Sequence, residues 1–199
     1  MSLLIESLKL KDGVLFNLEY HQSRLNRSLN ELFPQSDAID LEREILIPQG
    51  FNKGTFKVRV SYGPAIEKVE IEPYTFRTIR SLKVVQHSSI DYHLKYSERP
   101  LLQELFSERG ECDDIMIIKN GYVTDSFAAN LLFFDGERWF TPTTPLLKGT
   151  KRQLLLDKGL IVEKEIREEN ISEYRKVGLV NAMIDLEEMP VVDIKNIRF

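Results

Sequence analysis

Cysteine and histidine are scarce in this chain. The 199 residues include one cysteine, Cys112, and three scattered histidines, His21, His87 and His93. A single cysteine excludes an internal disulfide, and the histidines show none of the spacings that form a zinc site. We therefore expect no metal at a functional site, and we interpret Cys112 as a small residue beside a strand.

Long apolar runs and an excess of positive charge are also missing. No stretch approaches the roughly 20 apolar residues of a membrane-spanning helix. The first residues, MSLLIESLKLKDG, alternate and carry charge too early for a secretory signal. The net charge of −4 argues against nucleic acid or an anionic membrane as the main partner. These features predict a cytoplasmic protein with neither kind of partner.

Several short catalytic motifs are absent as well. The chain has no Gly-x-Gly-x-x-Gly, no phosphate loop ending in Gly-Lys-Ser/Thr, no Gly-x-Ser-x-Gly and no His-Glu-x-x-His. Ser126 has no histidine close to it in the sequence that would suggest a hydrolase. Dinucleotide binding, serine hydrolysis and zinc proteolysis therefore have little support.

What the chain does contain is a series of short alternating segments separated by turn pairs such as Asp12-Gly13, Asn120-Gly121 and Asp135-Gly136. Hairpins and scattered helices without regular βαβ alternation predict an α+β fold. A polar run, QHSSIDYH, suggests a junction between a small N-terminal domain over residues 1–80 and a C-terminal domain over 81–199. The predicted helices cover 18–33, 41–46, 97–109 and 150–158, and the predicted strands cover 3–11, 14–16, 55–62, 65–74, 82–86, 114–118, 122–124, the hairpin 130–141, 160–165, 177–184 and 191–194.

Residues 122–152, YVTDSFAANLLFFDGERWFTPTTPLLKGTKR, concentrate the chemically informative groups. Asp125 ends a short strand, Gly149-Thr150 opens a helix, and Lys95 stands thirty residues before the acid. A lysine, a carboxylate and a helix N-terminus are three of the groups that hold pyridoxal phosphate and make it react. Each also has an ordinary interpretation: a solvated lysine, an aspartate that caps the turn at Ser126, and a threonine N-cap.

The order of these segments resembles the fold-type IV pyridoxal-phosphate enzymes, which include branched-chain and D-amino-acid aminotransferases and 4-amino-4-deoxychorismate lyase. ESLKLKDGVLF resembles the early strand-turn-strand of that family, and His21-x-x-Arg24-Leu25 resembles its N-terminal arginine. Lys95-x-x-x-Arg99 matches the lyase branch. The resemblance implies a two-domain fold like that of D-amino-acid aminotransferase, with a shortened N-terminal domain, and a homodimer.

The resemblance also assigns roles to individual residues. Lys95 would form the Schiff base with pyridoxal phosphate and would then act as a general base and acid. Asp125 would keep the pyridine nitrogen protonated, although the family normally has Thr-Glu where this chain has Thr124-Asp125. The residues that the resemblance assigns to the cofactor are Arg24, Lys95, Asp125, Ala129, Gly149, Thr150 and Lys151.

Two of these groups need a further word. The family holds the phosphate with Gly-Ile-Thr-Arg, whereas this chain has Gly149-Thr150-Lys151-Arg152, so Lys151 occupies the usual place of the threonine. Arg24 would form a charge-assisted pair with the same phosphate. Its ordinary alternative is a surface arginine on a helix, and Arg27 lies close to the same helix face.

The resemblance implies a small amine or amino-acid substrate. Ala128-Ala129-Asn130 is more typical of aminodeoxychorismate lyases than of aminotransferases, which often carry a serine-rich run here. We therefore place lyase chemistry, with elimination of pyruvate, slightly ahead of amino-acid transamination. A homologue that binds the cofactor without turnover is the alternative of another class. Four arginines are candidates for a substrate carboxylate, and the sequence does not separate them: Arg59, Arg77, Arg80 and Arg99.

Overall fold

The computed structural model describes residues 3–199, which fold as two compact units. The first unit runs to Phe76 and also includes Leu94–Glu98. The second unit comprises Arg77–His93 and Arg99–Phe199. Among the helices of the described residues, none combines the length and the apolarity that crossing a membrane would require.

The first unit is an antiparallel sheet with two helices. Its strands lie in the order β2-β1-β3-β4. Leucines and valines at alternate positions of β1 and β3, such as Leu8 and Val58, face the same core as Leu25 and Leu29 of α1. The elements are β1 (Leu4–Lys11), β2 (Val14–Leu15), α1 (Leu18–Leu32), α2 (Leu41–Glu44), β3 (Thr55–Tyr62) and β4 (Ile66–Pro73).

The β1–β2 hairpin follows directly from its turn pair. Asp12 and Gly13 both have positive φ, of 50° and 83°, which is the backbone of a tight two-residue turn. Aspartate tolerates this conformation better than most residues and glycine adopts it freely. The turn therefore fixes the pairing of Lys11 with Val14.

Leu94–Glu98 is bound to the outer strand β1 by backbone hydrogen bonds. The amide of Ile5 donates to the carbonyl oxygen of Lys95 at 2.9 Å, and the amide of Ser97 donates to that of Leu3 at 2.8 Å. Leu4 and Tyr96 form an antiparallel bridge between them. The predicted division at residue 80 put Lys95 in the C-terminal domain, whereas these bonds group its segment with the first unit.

The second unit contains two sheets, with strand orders β10-β9-β8-β11-β12 and β13-β5-β6-β7. Its core draws on both sheets, since Met116 and Ile118 of one join Leu131 and Phe133 of the other. The elements are β5 (Leu82–Gln86), α3 (Pro100–Ser107), β6 (Asp114–Lys119), β7 (Tyr122–Val123), β8 (Asn130–Phe134), β9 (Trp139–Pro142), α4 (Thr150–Asp157), β10 (Val162–Lys164), β11 (Lys176–Val180), β12 (Val191–Asp193) and β13 (Ile197–Arg198).

Three predictions of elements were wrong in the second unit. The helix predicted from Ser97 begins at Pro100, because proline disfavours a helical backbone at the residue before it and suits the first helical position itself. The strand predicted over 177–184 ends at Val180, where the side-chain oxygen of Asn181 accepts from the amide of Met183 and turns the chain. Strand β13 was not predicted.

Candidate functional site

Asp125 lies just after β7 with its carboxylate buried and fully hydrogen-bonded. One oxygen, Oδ1, accepts from Nδ2 of Asn130 at 2.8 Å, and the other, Oδ2, accepts from the amide of Leu147 at 2.9 Å. Its backbone is fixed too, because the carbonyl oxygen accepts from the amide of Ile117. The interpretation of Asp125 as a cap of the turn at Ser126 is therefore wrong; Ser126 itself caps that turn, with its hydroxyl accepting from the amide of Ala129.

The two donors on Asp125 are neutral, and in residues 3–199 its carboxylate forms no ion pair with a cationic side chain. Burial consequently raises the pKa of Asp125 to about 6, although the hydrogen bonds from Leu147 and Asn130 and the more distant charge of Arg152 oppose that rise. A buried carboxylate with satisfied neutral donors and no paired cation is well suited to a cationic ring nitrogen.

Asn130 connects Asp125 to the loop that precedes α4. Its Nδ2 donates both to Asp125 and to the carbonyl oxygen of Leu147, the latter at 2.9 Å. A Cβ atom on Gly149 would overlap the Oδ1 atom of Asn130. Only glycine fits at that position unless the amide moves, so Asp125, Asn130 and Gly149 form one closely packed cluster, and Ala129 lies in the turn between the first two.

The first turn of α4 is buried and cationic. Gly149 is the N-cap, so Thr150 is the first helical residue and the interpretation of Thr150 as an N-cap is wrong. The ammonium of Lys151 lies 2.7 Å from Oδ1 of Asp185. Arg152 is only 3% exposed and donates to the carbonyl oxygen of Pro142 at 2.8 Å. Lys151 is thus paired with an acid that the sequence did not suggest, and Arg152 anchors the helix to β9.

Arg24 belongs to the first unit, in a buried ion-pair network. Its Nε and Nη2 atoms donate to the two carboxylate oxygens of Glu6 at 2.8 and 2.6 Å, and Nδ1 of His21 lies 2.6 Å from Glu6 Oε2. Arg24 is 7% exposed and Glu6 is fully buried, so the interpretation of Arg24 as a surface arginine is wrong.

The protonation of this network follows from burial and charge. Burial alone would raise the pKa of Glu6, but the charge and hydrogen bonds of Arg24, with that of His21, hold it at about 2. Burial lowers the pKa of His21, and the cations Arg24 and Lys95 add to that effect. Arg24 and Glu6 are therefore charged near neutral pH while His21 is neutral.

Lys95 is half-buried and lies in the same unit as this network. Its carbonyl oxygen is bonded to Ile5, the neighbour of Glu6 on β1, and its charge acts on His21. The structure thus groups the predicted residues into two sets: Arg24 and Lys95 in the first unit, and Asp125, Ala129, Gly149, Thr150 and Lys151 in the second.

Sequence reasoning missed the residues that hold these groups in place. Glu6 orients Arg24, Asn130 bridges Asp125 to Gly149, and Asp185 pairs with Lys151. The spacing of Glu6 and Arg24 along the chain carries no pairing signal, but a glutamate on the apolar face of β1 was a visible anomaly, because buried glutamates are rare unless paired. Within residues 3–199, no group of three or more histidine, cysteine, aspartate or glutamate side chains could hold a metal ion.

Comparison with known proteins identifies the family of this chain. The family model described as amino-transferase class IV matches residues 3–197. An uncharacterized protein of Haemophilus influenzae is 38% identical over 182 residues, which cover 90% of this chain and 97% of the relative. The crystal structure of a candidate 4-amino-4-deoxychorismate lyase from Haemophilus somnus 129PT is 35% identical, covers 94% of this chain and 98% of its own, and superposes with a TM-score of 0.89.

The fold recurs in a more distant protein. A hypothetical aminotransferase from Mycobacterium tuberculosis in its pyridoxal-phosphate-bound form is 18% identical over 96% of this chain and 80% of its own, with a TM-score of 0.76. The predicted α+β class with a fold-type IV arrangement is therefore confirmed. Because the family model spans nearly all of the sequence, this chain is a member of the amino-transferase class IV family, whose enzymes depend on pyridoxal phosphate.

Proposed function

We propose that this protein is a pyridoxal-phosphate-dependent enzyme that acts on a small amine, with 4-amino-4-deoxychorismate lyase-like elimination of pyruvate as its reaction. The observation that carries the cofactor proposal is Asp125, whose carboxylate is buried between two neutral donors and has no cationic side chain paired with it. A pyridinium nitrogen would supply the positive charge that this site lacks.

The residues that would hold the cofactor are those predicted from the sequence. Asp125 would take the ring nitrogen, and the amides at Gly149 and Thr150 would take the phosphate because the first amides of a helix have no partner within it. Arg24 would add a charge-assisted bond to the phosphate. When bound, pyridoxal phosphate supplies a carbonyl that condenses with amines and a ring that accepts electrons from the substrate α-carbon.

Lys95 would perform the proton transfers. Its ammonium would first give up a proton so that the amine could bond to the cofactor, and the substrate amine would then take its place. The freed amine of Lys95 would remove the α-proton and return a proton later. Asp125 would stay ionised throughout, because the charge of the ring nitrogen would offset the cost of burying its carboxylate.

The choice between lyase and aminotransferase depends on where the last proton goes, since both reactions share the earlier steps. The Ala128-Ala129-Asn130 run and the similarity to the candidate lyase from Haemophilus somnus favour elimination. Transamination is the second candidate, because the matching family model describes aminotransferases. A homologue that binds the cofactor without turnover is the third.

Absorption spectroscopy tests the cofactor proposal. Purified protein with added pyridoxal phosphate should show a visible band from the lysine–cofactor bond, and borohydride should fix the cofactor covalently to Lys95. Lys95→Ala should lose both the band and the fixation. Lys53→Ala is the matched control, because Lys53 is an exposed lysine of the same unit. An intact band in Lys95→Ala would remove this residue from the proposal.

Two product assays then separate the three activities. Release of pyruvate from 4-amino-4-deoxychorismate identifies a lyase, and transfer of an amino group from an amino acid to 2-oxoglutarate identifies an aminotransferase. A protein that shows the Lys95-dependent band but neither product binds the cofactor without turnover.

A further inference from the structure

Two phenyl rings of the second unit are stacked on each other, and each lies against a guanidinium. The centroids of Phe106 and Phe127 are 4.3 Å apart with an interplanar angle of 29°. The guanidinium carbon of Arg109 lies 4.2 Å from the Phe106 centroid, and that of Arg99 lies 4.5 Å from the Phe127 centroid. The two arginines also make the same hydrogen bond, from Nη1 to the carbonyl oxygen of the ring residue, at 3.0 and 3.2 Å.

Their positions relative to Asp125 differ. Phe127 belongs to the turn Ser126–Ala129 that joins Asp125 to Asn130, so the guanidinium of Arg99 lies directly on that turn. Arg109 follows the C-terminal end of α3 and contacts only the outer ring, Phe106, in the same way. Only Arg99 of this pair therefore rests on the backbone next to the candidate ring-nitrogen acid.

Their charge balance differs as well. Arg77 lies 3.9 Å from the buried carboxylate of Asp114, and the charge of Arg109 also acts on that carboxylate. Arg99 has no carboxylate partner among residues 3–199. Its single protein acceptor is the carbonyl oxygen of Phe127, which uses one of the five N–H groups of the guanidinium.

Helix stability does not account for a cation at this place. Arg99 is the N-cap of α3, where the helix dipole disfavours positive charge, and its extended backbone follows from Pro100. The phenyl ring covers one face of the guanidinium and excludes water from it. A half-buried, unpaired arginine held in a fixed orientation is poised to bind an anion.

The other candidate arginines are otherwise engaged or distant from the turn. Arg59 lies in the first unit and donates to the hydroxyl of Ser97 at 3.0 Å. Arg77 is exposed and faces Asp114. Arg80 is exposed, and its only printed contact is made by its backbone amide.

We infer that Arg99 binds a carboxylate of the substrate, and hence that the substrate is an amine that also carries a carboxylate. The planar guanidinium matches a carboxylate with two parallel N–H donors, while the Phe127 ring and carbonyl oxygen fix its orientation. This inference rests on the proposed function for the identity of the reacting amine, and it adds the residue that selects the substrate by charge.

The test measures binding of benzoate and of benzamide, which share a shape and differ in charge. Isothermal titration of the cofactor-loaded protein should show tighter binding of benzoate. Arg99→Gln should weaken benzoate binding roughly 10- to 100-fold, as expected for loss of a charge-assisted bidentate contact, and should leave benzamide binding unchanged. Arg99→Lys should fall between the two, because it keeps the charge and loses the planar pair of donors.

Arg109→Gln is the matched control and should keep the benzoate preference of the wild type. The inference is overturned if the wild type does not prefer benzoate, if Arg99→Gln retains the full preference, or if both glutamine variants lose it equally. The visible band of each variant is recorded in parallel. A wild-type protein without that band refutes the cofactor proposal, whereas benzoate preference alone decides the role of Arg99.

Discussion

Glu6 is the residue whose loss should cost the first unit most for the smallest change in shape. Glu6→Gln leaves the buried guanidinium of Arg24 without its counterion. Breaking one side of a buried ion pair typically costs roughly 3 to 5 kcal/mol, and urea unfolding at pH 7 measures it. Because the pKa of Glu6 is held at about 2, below its ordinary value of 4.5, its contribution is full above pH 4.5 and is lost as the pH falls toward 2.

Glu72→Gln is the control for this prediction. Glu72 pairs with Lys57 on the same sheet, but its side chain is 59% exposed. Exposed pairs contribute about 1 kcal/mol or less, so this variant should be nearly as stable as the wild type. Equal losses in the two variants would mean that the network around Arg24 is no more important than a surface pair.

Asp125 should make the cofactor-free protein less stable as the pH rises. Its folded pKa of about 6 lies above the ordinary value of 3.8, so the folded state binds the proton more tightly and loses stability between roughly pH 4 and 7. Two pKa units correspond to on the order of 3 kcal/mol. Asp125→Asn cannot ionise, so its stability relative to the wild type should rise across this range, as denaturant unfolding from pH 4.5 to 8 would reveal.

Only the pH dependence of that difference is diagnostic. The asparagine amide places a donor where the carboxylate accepts from Asn130 or Leu147, and this adds a constant penalty at every pH. Asp135→Asn is the comparison, because Asp135 is exposed and hydrogen bonds from the Arg138 and Glu137 amides lower its pKa. A flat difference for Asp125→Asn would contradict the assigned burial cost.

At the scale of elements, the loop before α4 should tolerate no side chain at Gly149. Gly149→Ala puts a methyl group into Oδ1 of Asn130, so either the loop or the amide that holds Asp125 must move. Overpacking of this kind costs typically 1 to 3 kcal/mol. We expect that loss in thermal or urea unfolding, together with weaker binding of pyridoxal phosphate in spectral titrations.

Two variants isolate the contact. Gly63→Ala should be benign, because its Cβ would approach nothing closer than a methyl group of Leu3 at 3.7 Å. In an Asn130→Ala background the added methyl group at Gly149 no longer meets an amide, so its cost should shrink. A cost that is unchanged in that background would place the strain elsewhere.

Most elements could be predicted from local signals, and the exceptions have physical causes. Turn pairs and alternation located β1, β3 and β6 to within about a residue. The start of α3 was misplaced because Ser97 resembles an N-cap, while the proline three residues later decides the backbone. The bond from Asn130 to Leu147 spans seventeen residues and depends on the folded loop, so no local pattern announces it.

At the scale of the whole molecule, the sequence could not show which unit Lys95 would join. Contiguity along the chain favours a single boundary, whereas backbone pairing with β1 returns residues 94–98 to the first unit. The predicted cofactor residues of the second unit were easier to place, because Asp125, Gly149 and the run between them lie within thirty residues.

Hydrogen exchange tests this discontinuous unit. The amides of Ile5 and Ser97 are bonded across the junction of β1 with Leu94–Glu98, so both should exchange slowly and with similar protection. Glu6→Gln should accelerate exchange in both segments together, whereas Glu72→Gln should not. Unchanged exchange over 94–98 in Glu6→Gln would mean that this segment is not part of the cooperative unit.

The backbone bond between Lys95 and Ile5 also limits how the lysine can move. With its main chain tied to a sheet, Lys95 works as a short tethered arm, and only its four side-chain torsions remain to carry the amine toward or away from a bound molecule. Such rotations take picoseconds to nanoseconds, whereas loop and domain motions extend to microseconds and beyond. The repeated exchange of partners that we assign to Lys95 would therefore require no rearrangement of the chain around it.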